Sequence, residues 1–184
     1  MTISAAATHV IPAGLITHST VVIKGQHHDH DISVHHARTP DARMSITLGG
    51  MHMVIYNCQA AQGLLEAFIA ARGHMLHLPA QIPSARAESE NEAAGRVMLS
   101  IEWTRRPVYA VATQSRINRL KTAQIHWVEL YTGPLTWQIR DRAGLLSLIE
   151  VLTRAHQTAV TVFVDGEQYK GDPNDPDYHA AGLA

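Results

Sequence analysis

Charge is scarce in this chain. Asp, Glu, Lys and Arg make up 17% of its 184 residues, and the formal net charge is -1 with histidine neutral. A protein whose main task is to coat a polyanion carries a strong basic excess, so the total charge lends no support to that role. Cysteine is scarcer still. Cys58 is alone, which excludes an intrachain disulfide framework and a four-cysteine zinc site. Long apolar runs are missing: none approaches the roughly 20 residues of a membrane-spanning helix. Before Lys24 there is no Lys or Arg, so the charged start of a secretory signal is absent as well. A soluble, intracellular protein, cytoplasmic in location, is expected.

Catalytic signatures are also wanting. There is no G-x-S-x-G, no H-E-x-x-H, no helix-opening GxGxxG and no phosphate-binding P-loop. Cys58 opens a helix, where a thiol can be acidified, but no base is marked beside it, and packing is the expected role. Glu88, Glu90 and Glu92 fall in a polar stretch, and Asp165 and Glu167 frame a turn. The chain is not expected to be an enzyme, and no cofactor is implied.

What is present is a core-forming composition, 46% hydrophobic, enough for one domain of this length. There is also a repeated pattern. "SITLGGMHMVIYNCQAAQGLLEAFIAA" (45–71) and "ELYTGPLTWQIRDRAGLLSLIEVLTRA" (129–155) align at an offset of 84. Gly49 falls on Gly133, Ile55 on Ile139 and Asn57 on Asp141. Gly-Gly suits a two-residue hairpin turn. Gly133-Pro134 predicts a slightly longer loop, because proline lacks a ladder donor. Asn57 and Asp141 are good helix N-caps. Ala61, Leu64, Leu65, Phe68 and Ala71 make one helical face, and Leu145, Leu148, Ile149, Leu152 and Ala155 make its counterpart.

Upstream, 19–25 and 31–36 read as two strands, and so do 96–103 and 107–114. An offset of 76 pairs Val21 with Val97, Ile23 with Leu99 and Ile32 with Val108. The change of offset implies about eight extra residues in the second copy, near "SRINRLKT" (115–122). The β-branched run "AVTVFVDG" (159–166) reads as one more strand.

The expectation is a single α+β domain, 1–184, with an internal pseudo-repeat. Antiparallel sheet is built from two ββββα repeats, each helix packed on its sheet. The first half spans 19–78, a linker 79–95, the second half plus a final strand 96–164, and an acidic, proline-containing tail 165–184. Such tails occur in single-strand binders and as plain solubilising ends, and the solubilising role is the default. In the first repeat Met51, Met53 and Ile55 alternate with His52, Val54 and Tyr56, apolar on both faces, so a second cover such as another copy is expected.

This order of elements, over residues 19 to 164, resembles the Whirly, PUR and mitochondrial guide-RNA-binding proteins. The resemblance rests on the order of elements and not on a motif. It implies binding of single-stranded DNA or RNA on a sheet surface.

The residues add a local signal. Between 96 and 142 stand eight basic residues (Arg96, Arg105, Arg106, Arg116, Arg119, Lys121, Arg140, Arg142) against three acidic ones (Glu102, Glu129, Asp141), a local charge of +5. All three tryptophans lie there. Trp103 and Trp137 share strand parity with apolar neighbours and read as core, while the face of Trp127 stays undecided. Aromatics for base stacking beside a basic groove are what single-strand binding needs. The candidate site is Arg105, Arg106, Arg116, Arg119, Lys121, Trp127, Tyr109, Tyr131 and Arg140. The alternative is an oligomeric interaction or structural accessory protein of a phage, mobile element or bacterial regulatory assembly, binding no nucleic acid. Finally, thirteen histidines cluster partly in "GQHHDHDISVHH". His28, His30 and His35 come nearest to a metal set there, but a polar turn explains them and no metal is assigned.

Overall fold

A computed structural model describes residues 17–27, 29–82 and 98–179. Its elements run β1 (Ser19–Ile23), β2 (His30–His35), β3 (Arg43–Leu48), β4 (Met51–Ile55), α1 (Cys58–Arg72), a 3-10 turn at Met75–His77, β5 (Leu99–Trp103), β6 (Tyr109–Ile117), β7 (Gln124–Thr132), β8 (Leu135–Ile139) and α2 (Arg142–Val162). The protein is α+β, with two ββββα passes as the pattern predicts.

The local devices are those read from the sequence. Asn57 accepts from the Ala60 N–H and opens α1, and Asp141 accepts from the Gly144 N–H and opens α2. Gly49 and Gly133 both take positive φ, 54° and 70°. The second turn is no longer than the first: Thr132 pairs with Leu135 as Leu48 pairs with Met51. With positive φ needed only at its first central residue, the turn admits proline at the second. The missing donor costs no ladder bond, since Pro134 lies inside the turn between the paired Thr132 and Leu135, and its carbonyl still accepts from Ser19.

The sheets differ from the expectation. Sheet A has the order β1-β8-β7-β6 and sheet B the order β2-β3-β4-β5. Each takes three strands from one half and its edge from the other, so the halves exchange first strands. β1 runs parallel to β8, and β5 parallel to β4. Both sheets are therefore mixed. A parallel pair cannot be closed by a tight hairpin, and α1 lies on the long connection from β4 to β5. The equivalence of the halves survives in the backbone bonds. Ser19 N–H to Pro134 matches Leu99 N–H to Gly50, and Arg140 N–H to Ile23 matches Tyr56 N–H to Trp103. In this register Ser19 corresponds to Leu99 and Ile23 to Trp103, an offset of 80 rather than 76.

The helices follow the exchange. α1 lies against β6 and β7 of sheet A as well as β4, and α2 against β2 and β3 of sheet B as well as β8. Neither helix simply covers its own half's sheet. Phe68 meets Trp137 edge-on, ring centres 5.1 Å apart, and both are fully buried with Leu64, Leu65, Leu145 and Leu148. Trp103 is buried too.

No strand forms at 159–166: α2 continues to Val162. Ala159 and Val162 extend the buried stripe of Leu148, Leu152 and Ala155. Burial along that stripe outweighs the few tenths of a kcal/mol that each β-branched residue costs a helix. The chain then turns sharply. Gly166 packs so close to α2 that a Cβ there would fall 2.0 Å from the Val160 carbonyl oxygen. The Asp165 carboxylate accepts from the Cys58 and Gln59 N–H groups and caps α1 from outside.

The described part of the tail is strapped down without helix or strand. Gln62 donates to the carbonyls of Tyr169 and Gly171, and Asn174 meets Arg72.

Candidate nucleic-acid interface

Strand register decides which side chains share a face. In sheet A, Val128, Leu130, Trp137 and Ile139 point inward and are fully buried. Their neighbours one residue away therefore point outward. On that outer face β7 carries Trp127, Glu129 and Tyr131, β6 carries Gln114 and Arg116, and Arg140 follows β8. Gln114 stands directly across from Trp127.

These residues form one connected surface. The Trp127 indole N–H donates to Glu129 Oε1 at 2.9 Å, the Tyr131 hydroxyl donates to Glu129 Oε2, and Gln114 donates to the same oxygen at 3.3 Å. One carboxylate thus fixes both aromatic side chains. The Trp127 bond, followed by the Tyr131 bond, holds Glu129 below the usual carboxylate range, and the bond to Glu129 raises the Tyr131 hydroxyl. The Arg140 and Arg116 guanidiniums lie 5.3 and 5.9 Å from the Trp127 ring centre, within cation–π reach.

The strands β6 and β7 outrun the sheet. They pair with each other from Tyr109–Thr132 to Ile117–Gln124, whereas β8 pairs with β7 only from Val128 onward. The overhang is a two-stranded arm. Seven residues separate His35 from Arg43, and twelve separate their counterparts Gln114 and Trp127. The insertion is therefore five residues, not eight, and it lies where the offset change placed it. Arg119 and Lys121 sit exposed at the arm's tip. Asn118 closes the tip turn by accepting from the Thr122 N–H, and Lys121 takes φ of 56°.

Arg116, Trp127, Tyr131 and Arg140 thus come together, with Arg119 and Lys121 beyond them on the arm. The other three do not join them. Arg105 is exposed in the β5–β6 loop, at the opposite end of sheet A beside the Gly133-Pro134 turn. Arg106 is folded onto α1, where it ion-pairs with Glu66 and donates to Gln62 and the Tyr178 hydroxyl. Gly63 makes room for it, since a Cβ there would sit 2.4 Å from Arg106 Cγ. Tyr109 faces inward and donates to Glu66, and burial, then that bond, pushes its hydroxyl up to about 12. Both hold the tail and β6 against α1.

Glu129 and Gln114 escaped the reading of the sequence. The period-two alternation through Trp127, Glu129 and Tyr131 was their signal, usable once Val128 and Leu130 are known to face the core. His28 lies outside the described residues. His30 and His35 stand on opposite faces of β2, since five positions separate them. No group of three or more potential metal ligands occurs among the described residues. Cys58 is fully buried, and burial, with a smaller push from Asp165, raises its thiol to about 12.

The corresponding face of sheet B is different. At the offset of 84, Arg43, Ser45, Thr47 and Tyr56 occupy the places of Trp127, Glu129, Tyr131 and Arg140. Arg43 and Thr47 replace the aromatic pair, and Ser45 replaces the carboxylate that orders it. The outward neighbours of His52 and Val54 are Thr47, Ser100, Ser45 and Glu102, so this face is polar despite the apolar look of β4 alone.

No family model, curated protein or solved structure matches this chain. No helix among the described residues is long and apolar enough to cross a membrane.

Proposed function

We propose that the protein binds single-stranded nucleic acid on the outer face of sheet A. The observation that carries this is the placement of Trp127 within reach of two guanidiniums and beside Tyr131, all facing outward on one sheet. Indole and phenol offer stacking surfaces for bases, and the arginines offer planar forks for phosphates. Arg119 and Lys121 extend the positive charge along the arm. The Whirly- and PUR-like order of elements points the same way, as an analogy of topology.

Fluorescence anisotropy with labelled single-stranded DNA and RNA, in a salt series, tests the reading. Binding at low salt that weakens linearly on a log–log plot supports it. Trp127→Ala should weaken binding by about 1–3 kcal/mol. No binding of either polymer at low salt would overturn it.

A second reading, an interaction protein that ignores nucleic acid, is favoured by one observation. β6 is a nine-residue edge strand, and the arm exposes Ile117 and Leu120, 68% and 79% accessible. Such an edge invites pairing with another chain. Sizing with and without oligonucleotide separates the two readings: an oligomer indifferent to oligonucleotide favours the second.

A further inference from the structure

At the root of the arm lies a cavity of about 530 Å³, within the range of small-ligand sites. The segment after α1 forms one wall and β7 the other. Leu78 and Ile82 from the first wall and Ile125 from the second give it apolar lining. The His77 and His126 rings close it nearby, centres 5.3 Å apart and tilted by 33°. Arg140 and Arg142 line it too, and they are its two cationic residues. Arg142 is held in place: its Nε donates to the Leu78 carbonyl at 2.9 Å and one terminal nitrogen donates to Leu76 at 3.3 Å. Its other terminal nitrogen is spent on neither carbonyl. Arg140 lines this cavity and also stands over the Trp127 ring, so one residue borders both the cavity and the face described above.

We propose that this cavity holds one nucleotide, its base between Leu78, Ile82 and Ile125 and against the histidine pair, and its phosphate on Arg140 and Arg142. Both chemistries are needed together. A purely apolar ligand would cover the remaining donors of Arg140 and Arg142 without supplying acceptors, and a bare anion would leave the apolar side chains uncovered. A nucleotide has a flat face for the rings and an oxyanion for planar forks. The proposal deepens the strand-binding reading and rests on it in one respect: Arg140 serves both places, so a strand stacked on Trp127 can pass its end nucleotide into the cavity. A free nucleotide has the same chemistry.

The test is calorimetric titration of the full chain with adenosine 5′-monophosphate, adenosine and inorganic phosphate, alongside NMR of the histidine ring protons. The monophosphate should bind and shift the His77 and His126 signals, with adenosine and phosphate each about tenfold weaker or worse. His77→Ala, on an exposed 3-10 turn, and Gln124→Glu, which adds a carboxylate at the rim, should each weaken the monophosphate about tenfold at unchanged Tm. No binding at millimolar monophosphate, or equal binding by both variants, overturns the proposal. Competition between monophosphate and a 5′-phosphorylated oligonucleotide would identify a strand end as the occupant; simultaneous binding would identify a free nucleotide. Oligonucleotide binding without monophosphate binding would sink the cavity and leave the strand face standing. Monophosphate binding without oligonucleotide binding would do the reverse.

Discussion

At the scale of single residues, Glu129 is the pivot of the outer face. It is the one negative charge among Arg116, Arg140, Trp127 and Tyr131, and it orders both aromatics. Two effects oppose each other: its charge repels phosphate, and its bonds hold the stacking surface. Glu129→Gln separates them, because an amide oxygen still accepts from the indole. Oligonucleotide affinity should rise severalfold at low salt, as read by anisotropy, and the gain should shrink as salt screens the removed charge. The lowered titration of Glu129 also has a sign. A carboxylate depressed in the folded state stabilises it above the ordinary carboxylate range, and that contribution disappears as pH falls through the lowered value. The Trp127 indole N–H resonance should therefore stay constant near neutrality and move only below the ordinary carboxylate range, and Glu129→Gln should abolish that movement. Cys58 is the opposite case. Its raised thiol stays neutral in the fold, so iodoacetamide at pH 8 should leave the native protein unmodified and alkylate it in urea.

At the scale of elements, each helix cap also latches the strand received from the other half. Asn57 donates to the Thr104 carbonyl just beyond β5, while Asp141 accepts from Gly25 just beyond β1, and also from Ile82 and Gly144. Asp141→Ala abandons three N–H groups at a fully buried position and should cost about 3 kcal/mol, against about 1 for Asn57→Ala, in urea unfolding. The caps, glycine turns and helix faces were legible because each is set by residues within a turn of one another. The strand exchange was not. β1 and β5 have the same alternating pattern, and nothing local tells a strand whether its neighbour lies in its own half or the other. The last turns of α2 look like strand for a related reason: Val160, Thr161 and Val162 favour strand locally, and only the continued spacing from Leu152 through Ala155 and Ala159 reveals the helix. The arm is the element that distinguishes the halves. Replacing Ile117–Gln124 by Asn-Gly keeps the Arg116–Ile125 pair as the hairpin's last rung and suits a two-residue turn. Removing Arg119 and Lys121 should reduce the salt slope of oligonucleotide binding by roughly 1.4, at about 0.7 per lost phosphate contact, with Trp127 quenching preserved.

At the scale of the whole molecule, the exchange forbids a division into independent halves. β1 completes sheet A and β5 completes sheet B, α1 packs on α2, and the tail ties Arg106 and Gln62 to residues beyond α2. Neither sheet can come apart without releasing a strand that enters the other half's chain. The structure should therefore unfold as one unit, although its two sheets form separate hydrogen-bonded ladders. A substitution confined to sheet B tests this from sheet A. Ile46→Ala removes a fully buried side chain from β3, at a cost of about 2–5 kcal/mol. For a chain of this length the midpoint should fall by roughly 6–15 °C. In a Trp103→Phe background the remaining tryptophans, Trp127 and Trp137, both stand in sheet A. Their fluorescence should report the same lowered midpoint as far-UV circular dichroism. If the fluorescence midpoint held at its starting value while the dichroism split into two steps, the sheets would be separable units, and exchange of first strands would couple them in geometry but not in energy.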